Sequence, residues 1–64
     1  MNMRCYILLY NNMGEEVEAI GTECKYLCEG DIVRRKSIDY EVHKKLFQTA
    51  DNCLYIKAFQ TLNN

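Results

Sequence analysis

Turn-forming residues recur at short, regular intervals along this 64-residue chain, and that spacing constrains the fold more than any other feature. Asn11-Asn12-Met13-Gly14 is the clearest signal, because Asn and Gly tolerate the positive φ that hairpin loops require. Gly21-Thr22, Glu29-Gly30, Lys36-Ser37 and Ala50-Asp51-Asn52 follow. Between them lie short runs rich in β-branched and aromatic residues, the pattern of a small sheet or barrel.

Period-two alternation assigns faces to these runs. In the first, Cys5, Ile7 and Leu9 share one face and Tyr6, Leu8 and Tyr10 the other, so both faces are apolar. In the second, Val17 and Ala19 oppose Glu16 and Glu18, which predicts a half-buried strand with the first pair inward. The third spans Asp31 to Arg35. The last runs from Cys53 to about Gln60, with Leu54, Ile56 and Ala58 opposite Tyr55, Lys57 and Phe59. The stretch 37–50 reads two ways. As a strand, Ile38, Tyr40, Val42 and Leu46 alternate with polar residues; as a helix, Ser37 is the N-cap and Ile38, Val42, Leu46 and Ala50 form one stripe. Its β-branched and aromatic content favours the strand. The expectation is one all-β domain over 1–64, a small five-stranded antiparallel sheet or SH3-like barrel. The alternative is an α+β fold with one helix at about 37–50.

The order Gly30-Asp31-Ile32-Val33-Arg34, Tyr40-Glu41-Val42 and Leu54-Tyr55-Ile56 resembles that of small SH3-like β-barrel proteins, among them many short uncharacterised proteins of phages and mobile elements. It covers residues 30–60. The resemblance implies a five-stranded barrel and a role in binding and blocking a host or defence protein. The chain departs from that pattern at Arg35-Lys36-Ser37, where Asp-Gly or Asn-Gly is more usual, and no functional residue carries over.

A domain this short buries only about 60% of the surface its unfolded chain exposes, so it often leans on a partner or a second copy. The net charge of −1 carries no global field for phosphates or anionic lipid. The longest near-apolar run, Cys5 to Tyr10, is far short of a membrane span and lacks the flanks of a signal peptide. A cytoplasmic setting with reduced cysteines is therefore expected, with no membrane association. The gap in Cys24/Cys28 suits a zinc knuckle with Cys5, Cys53 or His43 completing the site, but a second close pair is missing, and packed free thiols are the preferred reading. No metal or cofactor is expected.

Catalytic chemistry finds little footing. His43 is the only histidine, with Asp39, Glu41 or Lys45 as orienting partners and a cysteine as nucleophile, but no positional motif supports that arrangement. The three glycines are isolated, so no phosphate loop exists, and the chain is not expected to be an enzyme. Arg34, Arg35, Lys36, Lys44 and Lys45 hold five of eight basic residues, and a hairpin over 31–47 would place them near aromatic rings as a surface for nucleic acid or a small anionic ligand.

The aromatic residues are more informative. One barrel interior cannot hold apolar residues from both faces of the first and last strands. Tyr6, Leu8, Tyr10, Tyr55 and Phe59 are therefore the expected interaction surface, since exposed apolar patches mark such sites. The function expected from the residues is a protein-interaction module, a homo-oligomer that binds another protein. Neither the identity of the partner nor the biological process is encoded in them.

Overall fold

The computed structural model describes residues 4–21 and 26–61. Five strands form one sheet: β1 (Arg4–Tyr10), β2 (Glu16–Gly21), β3 (Ile32–Arg35), β4 (Ile38–Gln48) and β5 (Cys53–Gln60). Their order is β2-β1-β5-β4-β3, curled into a half-barrel. The fold is all-β, and 38–48 is strand where the helix was the alternative.

The sheet is mixed, which corrects the antiparallel expectation. β1 pairs antiparallel with β2, and β5 with β4 and β4 with β3 likewise, but β1 and β5 run parallel in continuous register from Arg4↔Cys53 to Tyr10↔Phe59. Direction counting explains it. A chain that reverses at each of its four connections leaves its first and fifth strands pointing the same way, so they can pair only in parallel. These two strands and β4 take the inner positions, and β1 and β5 carry apolar residues on both faces over most of their length.

The core lies on the concave side. Cys5, Ile7 and Leu9 of β1 sit in register with Leu54, Ile56 and Ala58 of β5, and Tyr40 and Val42 of β4 join them. Leu9, Ile56 and Val42 are the largest fully buried side chains, each contributing about 1.5–3 kcal/mol of burial. Ile20, Leu27, Val33 and Ile38 close over this cluster. Leu27 thus packs against the concave side.

β2 turns the opposite face inward from the one expected. Ile20 pairs with Ile7 and Glu18 with Leu9 on the concave side, whereas Val17 is 51% exposed and Ala19 is exposed. A register shift between Leu9 and Tyr10 leaves Val17 as the extra residue of a bulge. Ile20 is the larger anchor, and the inward Glu18 finds a cation in Arg35.

Local chemistry sets the turns. Asn11 Oδ1 accepts from the backbone N–H groups of Met13 (2.9 Å) and Glu15 (3.0 Å), and Gly14 takes φ 79°. Lys36 and Ser37 both adopt positive φ, 54° and 69°, as a two-residue hairpin loop requires, although neither is Gly or Asn. β4 outruns β3, whose pairing ends at Ile32↔Glu41, and residues 43–48 are exposed. The long β4–β5 arm gives the molecule its 39 × 20 × 18 Å shape.

Candidate interaction surface

The convex side of the sheet is built by the alternate residues of the same strands. In β1 these are Arg4, Tyr6, Leu8 and Tyr10; in β5, Cys53, Tyr55, Lys57 and Phe59. The five residues expected to form an interaction surface therefore share one face, and the parallel register sets them in rows across the sheet. Each is half-buried by its neighbours.

The first row is Gly21–Tyr6–Tyr55–Leu46. The Tyr6 and Tyr55 rings stack at 6.0 Å between centroids, and Tyr6 Cε1 lies 3.6 Å from where a Cβ on Gly21 would sit. The aromatic ring covers backbone that a side chain would otherwise shield. Leu46, at 46% exposure, ends the row on β4.

The third row is Glu16–Tyr10–Phe59–Glu41, with the His43 ring set against Phe59. Tyr10 and Phe59 stack at 4.7 Å with 18° between planes, and the His43 ring lies 4.9 Å from Phe59 on the β4 side. A bulge places His43 there, since the β4–β5 register shifts between Val42 and Lys44. These rings turn their faces to one another, leaving edges and the Tyr10 hydroxyl to solvent.

Between the aromatic rows lies Leu8–Lys57–Lys44. Lys57 and Lys44 are directly opposed in the ladder. Lys57 Nζ stands 5.9 Å above the Tyr10 ring, within cation–π range. Arg34 and Arg35, by contrast, each form an ion pair with an acid.

Two open grooves flank this face. One, of about 540 Å³, is lined by Arg4, Tyr6, Leu8, Ala19, Asp51, Cys53 and Tyr55. Hydrogen bonding with Cys53 pushes the Tyr55 phenol above its ordinary value, and desolvation and nearby Asp51 act in the same direction. The other, of about 720 Å³, lies between the β1–β2 turn and the Asp39, Glu41, His43 and Phe59 side chains.

The expected basic surface is not assembled. Arg34 and Arg35 point to opposite faces of β3 and are bound to acids: Arg34 Nε lies 2.6 Å from Asp39 Oδ1, and Arg35 Nη2 lies 2.6 Å from Glu18 Oε2. Each pair draws the carboxyl below and the guanidinium above its ordinary value, with the hydrogen bond as the main cause. Lys36 occupies the hairpin turn. Lys44 lies on the convex face and Lys45 on the other, roughly 15 Å along β4 from Asp39.

The chemistry of the remaining candidates is plain. Asp39, a possible orienter for His43, is held by Arg34. Cys5 and Cys53 are buried, and Cys28 is exposed. Among the described residues no group of three His, Cys, Asp or Glu side chains is placed to hold a metal ion; Cys24 of the zinc reading lies outside the described residues. The signals that sequence reasoning missed are the convex Lys44/Lys57 pair and the placement of His43 on Phe59, which depend on strand register. No family model, curated protein or solved structure matches this chain.

Proposed function

We propose that this chain is a small protein-interaction module that binds another protein through its convex face and blocks or alters that protein's activity. The observation that carries this reading is the pair of stacked rows, Tyr6–Tyr55 and Tyr10–Phe59, on the side of the sheet away from the core. A single-layer sheet this small has no need of aromatic residues on its outer face for its own core. Tyrosine offers area and a polar tip at low entropic cost, which suits an interface.

The mutual stacking also argues for a protein rather than a nucleic-acid occupant. Base stacking needs an open ring face, and Phe59 lies between Tyr10 and His43. The inhibitor character follows from the resemblance of residues 30–60 to small phage-type proteins.

The test is capture of partners by the tagged chain and by Tyr55→Glu and Tyr10→Ala variants, each shown by circular dichroism to fold. A protein retained by the parent and by a Lys36→Ala control, and lost from both face variants, supports the reading. Equal retention by all four contradicts it.

A further inference from the structure

The proposed interaction face holds an electrostatic defect at its centre. Lys44 and Lys57 face each other across the β4–β5 ladder, where like charges directly opposite are destabilising. Neither has a carboxylate within ion-pair distance among the described residues. The two arginines nearest in sequence, by contrast, are each matched to an acid. The same row holds Leu8 beside Lys57, and aromatic rows bound it above and below at about two residues' rise.

Resting on the interaction-module reading, we propose that the convex face takes an acidic, apolar-flanked segment of the partner protein, with a carboxylate seated between the Lys44 and Lys57 ammonium groups. Charge complementarity selects this occupant. A carboxylate there relieves the repulsion and gains two charge-assisted hydrogen bonds. The flanking Tyr6/Tyr55 and Tyr10/Phe59 rings present edges and hydroxyls to the residues on either side. Their edges carry the positive part of the ring quadrupole, which also favours an anion over a cation. Lys57 above Tyr10 is held by the ring face, which positions it without neutralising it.

The experiment is selection of a random-peptide display library against the parent chain and against a Lys44→Gln/Lys57→Gln variant. Enrichment of Asp- or Glu-containing peptides by the parent is expected, with roughly tenfold or greater loss of affinity in the variant and steep weakening with salt. The variant should melt no lower than the parent, because removing like charges relieves the ladder; this separates lost binding from lost folding. Enrichment of acid-free peptides that are still lost on Tyr55→Glu overturns the acidic occupant while leaving the interaction face standing. Selection of no peptide, or of peptides indifferent to both changes, overturns both. Binding of a fluorescent oligothymidylate at low salt, or a native-mass dimer abolished by the double Gln variant, assigns the face to nucleic acid or to a second copy instead and overturns the proposal.

Discussion

Arg35 and Glu18 join the two strands that stand at opposite ends of the sheet order. Arg35 Nη2 lies 2.6 Å from Glu18 Oε2 and Nε lies 3.2 Å from Oε1, a two-point contact between β3 and β2 across the concave opening. Edge strands with unpaired backbone invite pairing with other chains. Here the curl brings the edges near enough for their side chains to meet. A short bulged edge with inward glutamate on one side and a four-residue edge with arginine on the other discourage both from extending the sheet.

The pair carries a pH dependence of definite sign. Arg35 holds the Glu18 carboxyl below its ordinary value, so the folded chain binds that proton less tightly than the unfolded one. The stabilisation is complete above the ordinary glutamate range and is lost as pH falls through the lowered folded value. Asp39, held down by Arg34, acts in the same sense. Glu18→Gln should flatten the acid limb of a stability–pH curve measured by urea unfolding. It should leave the neutral-pH midpoint only slightly lower, since the pair is solvent-screened. An unchanged acid limb in Glu18→Gln would show that the latch does not form.

The β3–β4 hairpin is a site of stored strain. Lys36 and Ser37 both lie in left-handed backbone, which costs roughly 1–2 kcal/mol for a residue with a Cβ. Replacing them with Asn and Gly supplies the preferred two-residue loop. Lys36→Asn/Ser37→Gly should raise stability by about 1 kcal/mol or more in chemical unfolding. A loss of stability would mean that the turn has another geometry.

Much of this architecture is legible in the residues. Period-two alternation places Cys5, Ile7 and Leu9 opposite Tyr6, Leu8 and Tyr10, and Leu54, Ile56 and Ala58 opposite Tyr55 and Phe59, as they stand in the sheet. What alternation cannot register is an extra residue. One bulge at Val17 makes Ile20 and Glu18 the inward pair of β2, and one at His43 determines that Lys44 meets Lys57. The basic cluster fails for a related reason: adjacency in sequence places neighbours on opposite faces of a strand, so Arg34 and Arg35 diverge, as do Lys44 and Lys45. The parallel direction of the β1–β5 contact follows from counting reversals, but that β1 pairs with β5 at all depends on which strands need cover on both sides.

Ile56 tests the core. It is fully buried, pairs with Ile7 on β1 and Lys45 on β4, and sits at the centre of the concave cluster. Ile→Ala at such a position costs about 2–5 kcal/mol. The net stability of a domain this small is only about 3–5 kcal/mol. Ile56→Ala should therefore be largely unfolded at neutral pH by circular dichroism, whereas Ile32→Ala, at 54% exposure on edge strand β3, should stay folded. Comparable melts for the two would place the core elsewhere.

The His43 bulge makes the last prediction, because it distinguishes one residue of β4 from its neighbours. Val42 faces Ala58 in the core and Lys44 faces Lys57 outside, with His43 inserted between them. Removing His43 leaves Val42 inward, Lys44 outward and every later pair unchanged. Removing Glu41 instead, with the bulge taken up, turns Val42 outward and brings His43 to the core position opposite Ala58. Deletion of His43 should thus alter stability by about 1 kcal/mol or less, within the range of an exposed ring contact such as His43–Phe59. Deletion of Glu41 exposes a buried valine and places an imidazole in its stead, at a cost of several kcal/mol in a domain that has little to lose. Paired thermal melts of the two deletions decide the matter. If both unfold the chain, His43 is an ordinary ladder residue and the opposition of Lys44 to Lys57 is lost with the bulge.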